Sequence, residues 1–178
     1  MEREQSMVHG ETVETERLIL RPPTREDSEA LHRIFSDPTT MSFWPVPFTE
    51  DDTRRWISRS IQDHEESGFG RQPVILKTSG EIIGDCGVMR AEIAGKPEYD
   101  LGYIIHYPFW RNGYAVEAAE ACKRHAVEQL GIRRLVANMP VDHKASIRVA
   151  EKVGMQREKT FRNPKNRDIE TYLYALEI

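Results

Sequence analysis

The segment Ile104-Ile105-His106-Tyr107-Pro108-Phe109-Trp110-Arg111-Asn112-Gly113-Tyr114-Ala115 passes from an apolar run through a loop into a stretch that opens on glycine and alanine. A helix starting at that point has N–H groups without internal partners, and small residues there let a phosphate approach the backbone closely. Arg111 adds a cation beside them. The same residues also fit a simple turn at Gly113 with Arg111 in solvent, because one glycine is a weak fingerprint. The competing phosphate cradles are missing: neither Gly-x-x-x-x-Gly-Lys-Ser/Thr nor Gly-x-Gly-x-x-Gly occurs. No Gly-x-Ser-x-Gly elbow supports a serine hydrolase. The histidines lack His-x-x-x-His spacing and the cysteines lack Cys-x-x-Cys spacing, which argues against a metal site.

The elements that must position this loop can be read from periodicity. Residues 17–21, Arg-Leu-Ile-Leu-Arg, read as a first strand closed by Pro22-Pro23. Thr24 opens a helix whose Ala30, Leu31, Ile34 and Phe35 repeat at helical spacing until Asp37-Pro38, and Thr49 with Glu50, Asp51 and Asp52 opens a second, ended at Gly68. Apolar runs at 73–76 and 82–89 around Lys77-Thr78-Ser79-Gly80-Glu81 signal a hairpin, and 99–107 reads as a further strand. Ala115, Ala119, Cys122, Ala126 and Leu130 form one helical stripe before Gly131. A strand at 135–139, a helix at 145–153 and one or two closing strands, the last at 169–176, complete the order. Single strands followed by long helices imply an α/β sheet with helices on both faces, and the hairpin makes that sheet mixed.

Four segments in order resemble the GNAT superfamily of acyl-CoA N-acyltransferases, in particular its RimJ/RimL-like branch. They are Thr15-Glu16-Arg17-Leu18-Ile19-Leu20-Arg21, the strand from Asp100 to His106, the loop and helix start Trp110-Arg111-Asn112-Gly113-Tyr114-Ala115-Val116-Glu117-Ala118, and the segment from Asp142 to Met155. The resemblance implies a mixed, mostly antiparallel sheet in which the strand holding Ile104, Ile105 and His106 splays from the strand at 135–139. Acetyl-CoA, as acyl donor, would lie in that wedge, its pantetheine arm pairing with the strand edge and its phosphates on Arg111, Asn112, Gly113, Tyr114 and Ala115. Backbone N–H near Ile105 would polarise the thioester carbonyl.

The activity so implied is direct acetyl transfer to a primary amine, on a small molecule or a protein N-terminus. Such an amine must first lose a proton. Asp100 falls where the branch often carries a carboxylate and is the leading base, with Glu98 as runner-up; an ordinary carboxylate paired to an arginine is the plain alternative. Ser146 matches the branch's serine and is the candidate acid for the departing thiol, although a helix cap is equally compatible with its position. His143 stands where the branch commonly has asparagine. It could bond the cofactor, act as acid or base, or mark a non-catalytic CoA-binding sensor. The loop Phe43-Trp44-Pro45-Val46-Pro47-Phe48 either lines the acceptor pocket or plugs the core.

The bulk composition sets the limits. In 178 residues there are 29 acidic and 25 basic side chains, a net charge of -4, so the chain lacks the cationic excess expected of a nucleic-acid binder. No apolar run reaches the roughly 20 residues of a membrane helix, and residues 1–17 lack the apolar core of a secretory signal. A cytoplasmic address is expected, with residues 1–12 a polar tail and 13–178 one catalytic domain. Cys86 and Cys122 are expected to be free thiols. A homodimer is an expectation from the family alone.

Overall fold

The computed structural model describes residues 10–178, so most of the tail expected at 1–12 lies outside the described residues. Eight strands form one sheet. They are β1 (Val13–Glu14), β2 (Leu18–Leu20), β3 (Arg71–Leu76), β4 (Ile82–Ile93), β5 (Lys96–Ile105), β6 (Arg134–Pro140), β7 (Gln156–Asn163) and β8 (Ile169–Glu177), arranged β1-β2-β3-β4-β5-β6-β8-β7. Every neighbouring pair is antiparallel except β5 with β6.

Helices cover both faces, as the alternation of strands and helices requires. On one side α3 (Tyr114–Glu128) and α4 (Lys144–Lys152) bury Ala118, Ala119, Cys122, Val149 and Ala150 against Leu101, Ile105, Leu135 and Met139. On the other, α1 (Ser28–Phe35) and α2 (Glu50–Ser67) pack Leu31, Ile34, Phe35 and Ile57 with Met41 and Ile104. Successive residues of a strand point to opposite faces, so β5 sends Leu101, Tyr103 and Ile105 toward α3 and α4 and sends Asp100, Gly102 and Ile104 toward α1 and α2.

Local chemistry explains the element ends. Thr49 Oγ1 accepts the Asp52 N–H at 3.2 Å while Asp52 accepts the Thr49 N–H at 2.9 Å, a reciprocal cap, and Gly68 closes α2 at φ 77°. The helix expected from Thr24 begins as a single 3₁₀ turn at Arg25–Asp27, where the Asp27 carboxylate accepts the Thr24 N–H at 2.8 Å. β4 and β5 run past the expected 89 and 99 to meet at a two-residue turn, Ala94-Gly95, both residues having positive φ as that turn type demands. Cys86 and Cys122, distant in sequence, face each other across β4 and α3 with sulfurs 3.6 Å apart, unbonded and buried.

Candidate active site

β5 and β6 are bridged at one register pair, Asp100 with Val136. Beyond it the strands separate, and a cavity of about 700 Å³ opens between them. Residues 100–104 of β5 and 137–140 of β6 form its sides, His143 and Ser146 at the start of α4 reach it from one face, and Phe43, Trp44 and Trp56 from the other. The cavity therefore passes through the sheet.

The β5 edge that lines the splay has backbone groups to offer. N–H and C=O of alternate residues leave a strand on opposite edges. The His106 N–H goes to Ile83 O on β4 at 2.8 Å, so those of Ile105 and Tyr103 face the open side, and Ile104 pairs inward opposite Asp85. The Ile105 carbonyl accepts the Trp110 indole N–H at 2.6 Å, which ties the following loop to the strand end.

That loop holds Arg111 at φ 63° and Gly113 at φ 80°. Two left-handed residues around Asn112 fold successive N–H groups toward one concavity, the geometry of an anion nest. The Asn112 side chain braces the turn by donating to the carbonyls of Phe109 and Trp110, each at 3.0 Å. No side chain caps α3, so the N–H groups at its start, including those of Tyr114 and Ala115, stay available to an anion. Arg111 is exposed beside them. A second cation, missed in the sequence reading, is Arg17: it lies 4.4 Å over the Tyr114 ring and pairs with Glu117 at 2.7 Å, cancelling a carboxylate that would otherwise oppose phosphate.

Asp100 sits at the apex of the splay, half-buried, and accepts a hydrogen bond from Asn138 Nδ2 at 3.3 Å. Burial pushes its carboxyl up to about 6, against the opposing pull of Arg71, the Asn138 bond and Lys165. Arg71 itself is bonded to the Asp85 carboxylate at 2.7 Å, and Trp56 Nε1 donates to the same oxygen at 3.3 Å. Regular pairing sets Arg71 opposite Gly87 and Pro73 opposite Asp85, so the Arg71 and Asp85 side chains share one face of the sheet. None of Arg71, Asp85, Trp56 and Asn138 stood out in the sequence, because they come from four separate elements.

Glu98 takes no part in the cavity wall. Its carboxylate is 7% exposed and is held by Arg134 at 3.0 and 3.1 Å, so the runner-up base is a structural ion pair. Ser146 lies inside α4 while His143 occupies the capping position, which removes the cap reading of the serine. Ser146 Oγ donates to the Tyr103 hydroxyl at 3.1 Å, and that hydroxyl donates to Ser146 O at 2.7 Å. Burial raises the Tyr103 phenol above its ordinary range. His143 stacks on Phe43 with ring centroids 3.9 Å apart, and burial lowers its imidazole to about 4. In the 43–48 loop Phe43 and Trp44 line the cavity, while Phe48 packs on Phe35 at 5.2 Å.

Among the described residues no group of three or more His, Cys, Asp or Glu could hold a metal ion, and no helix is long and apolar enough to cross a membrane.

The family model for the acetyltransferase (GNAT) domain matches residues 17–156. The uncharacterized protein YkkB of Bacillus subtilis is 34% identical over 151 residues, covering 83% of this chain and 87% of its own. The uncharacterized N-acetyltransferase p20 of Bacillus licheniformis is 30% identical over 172 residues, covering 93% and 96%. Among solved structures, a GNAT-family acetyltransferase from Bacillus anthracis superimposes with a TM-score of 0.79 at 28% identity, over 94% of this chain and 98% of that one.

Proposed function

Because the chain belongs to the GNAT acetyltransferases and is an acyltransferase, we propose that it moves an acetyl group from acetyl-CoA directly to a primary amine, in the manner of the RimJ/RimL-like branch. The observation that carries this reading is Asp100, a carboxyl raised to about 6 at the apex of the β5–β6 splay. With that value it is mostly ionised at pH 7, yet more basic than a free carboxylate and able to take a proton from an amine directly or through one water.

The donor supplies an activated acetyl group whose thiol has a reference pKa of about 8.5, so its departure needs modest help. The open strand edge at Tyr103 and Ile105 suits an extended amide-bearing chain, with side chains setting selectivity. The Ile105 N–H is placed to polarise a carbonyl in the splay. Residues 111–115, with Arg111 and Arg17 nearby, fit a pyrophosphate. Asp100 takes the amine proton and releases it to water, and the Ser146 hydroxyl, turned away from Tyr103, donates a hydrogen bond to the leaving thiolate, which takes its proton from water so that the serine stays neutral. His143 at about 4 is neutral at pH 7, so its part is to hydrogen-bond and to hold Phe43 rather than to donate a proton as imidazolium.

The reading takes residues 13–178 as one catalytic domain, working in the cytoplasm as a homodimer on a small-molecule amine or a protein N-terminus. Thiol release from acetyl-CoA, followed across amines, polyamines and peptide N-termini, tests it. Amine-dependent release well above hydrolysis is expected; tight CoA binding with no acylation of any amine would overturn it and favour a CoA-binding sensor.

A further inference from the structure

The charge lining the cavity runs opposite to that of the whole chain. Against a net charge of -4 for the chain, the cavity wall carries Arg71, Lys159, Arg162 and Lys165 and two carboxyls, Glu92 and Asp100. Arg71 is neutralised by Asp85. The other three cations come from β7 and the turn after it, and two of them are bonded to backbone carbonyls. Lys165 Nζ donates to Glu92 O at 2.7 Å and Arg162 donates to Asp168 O at 3.3 Å. Lys159 carries no salt bridge among the described residues, and its neighbour Glu158 is taken by Arg134 at 2.9 Å.

Lys159, Phe161 and Asn163 alternate with exposed residues on β7 and turn toward the cavity. Lys159 stands on the cavity side of β7 with no carboxylate in salt-bridge reach among the described residues, so it is open to an anion in the cavity. Residues 111–115 are absent from this wall, so cofactor phosphates have a separate place. The cavity is also roofed: Phe43 stacks on His143 and its carbonyl accepts the Asn166 side-chain N–H at 2.8 Å. Beside the strand edge given to the pantetheine arm, the remainder of this cavity of about 700 Å³ suits a small molecule.

Resting on the amine acetyltransferase reading, we propose that the acceptor is a small amine that also bears an anionic group, a carboxylate or a phosphate, received by Lys159 with Lys165 on the β7 side of the cavity. The amine then points to Asp100 and the anion to β7, with the aromatic rings of Phe43 and Phe161 beside the atoms between them.

Matched probes test this directly: L-phenylalanine against phenethylamine, and O-phosphoethanolamine against ethanolamine, in the thiol-release assay and by calorimetry on the CoA-loaded protein. In at least one pair the anionic member should show kcat/KM about tenfold or more above its neutral partner; the pair that does so tells carboxylate from phosphate. Lys159→Gln should collapse that ratio through the KM of the anionic acceptor, and Lys159→Arg should restore it. Neutral amines acetylated as well as or better than both anionic ones would overturn the proposal while leaving the acetyltransferase reading intact. If no amine is acetylated, tighter calorimetric binding of an anionic probe than of its neutral partner sustains the anion site alone, and equal or absent binding overturns it.

Discussion

The Arg71 guanidinium occupies the space where a β-carbon of Gly102 would sit. The absence of a side chain at 102 lets the cation cross β5 between Asp85, which it bonds, and Asp100, whose carboxylate form it favours. Gly102→Ala should therefore push Arg71 aside. A loss of about 1–3 kcal/mol in denaturant unfolding is expected from the overpacking. With the cation displaced, Asp100 titrates higher, and the acid limb of the rate profile moves to more alkaline pH.

On the proposed base role, Asp100 sets that limb. In the wild type kcat/KM should rise with pH through about 6, where the carboxyl ionises. Asp100→Asn should remove the limb and lower kcat about 10²–10⁴-fold while the affinity for CoA, measured by calorimetry, is kept. Glu98→Gln should leave the limb in place, because Glu98 is bound to Arg134 outside the cavity.

The same carboxyl has a signature in stability. Its folded value is raised above the unfolded one, so the folded state favours the protonated form and the contribution to stability is lost as pH rises through about 6. Asp100→Asn should gain on the wild type between pH 4 and pH 7, by on the order of 1–2 kcal/mol once water at the cavity wall is allowed for. Thermal unfolding at the two pH values checks the sign.

His143 acts the other way. Its folded value is lowered to about 4, so between about 6.5 and 4 the unfolded chain takes up a proton that the folded one refuses. Stability from this group is full above about 6.5 and falls as pH drops through about 4. His143→Asn should flatten that decline in acid unfolding, and the limb of the rate profile near 6 should survive the substitution.

Much of this architecture could be read from residue patterns, and the exceptions have physical causes. α2 announced itself through Thr49, Asp52 and Gly68, and α3 through its alanine stripe, since caps and helical spacing are local. β7 could be read only as the first of one or two closing strands, without bounds, because Gln156-Arg157-Glu158-Lys159 has no apolar alternation: it is an edge strand whose partner lies on one side only. At the site, Asp100 and the 111–115 loop were visible because each lies in a contiguous segment. Arg71, Asp85, Trp56 and Asn138 were not, since their association exists only across four elements. Nor could spacing tell Glu98 from Asp100: both lie on the same strand, two residues apart, and an arginine on β6 captures one of them.

The cradle offers a test of cofactor binding apart from chemistry. Gly113 holds φ 80°, where a β-carbon is strained by roughly 1–2 kcal/mol. Gly113→Ala should raise the KM for acetyl-CoA more than it lowers kcat, and the KM of the amine should change little.

The single backbone bridge between Asp100 and Val136 also bears on how the molecule assembles. The β4–β5 and β7–β8 hairpins close over short stretches of chain, whereas the seam between β5 and β6 joins strands with a whole helix between them. Loop closure of that length is slow compared with hairpin formation. The proposed base stands at that seam, with β5 contributing Asp100 and β6 contributing Asn138, so neither half of the sheet alone holds the proposed centre. On that proposal a nascent chain gains activity only when its two halves have docked.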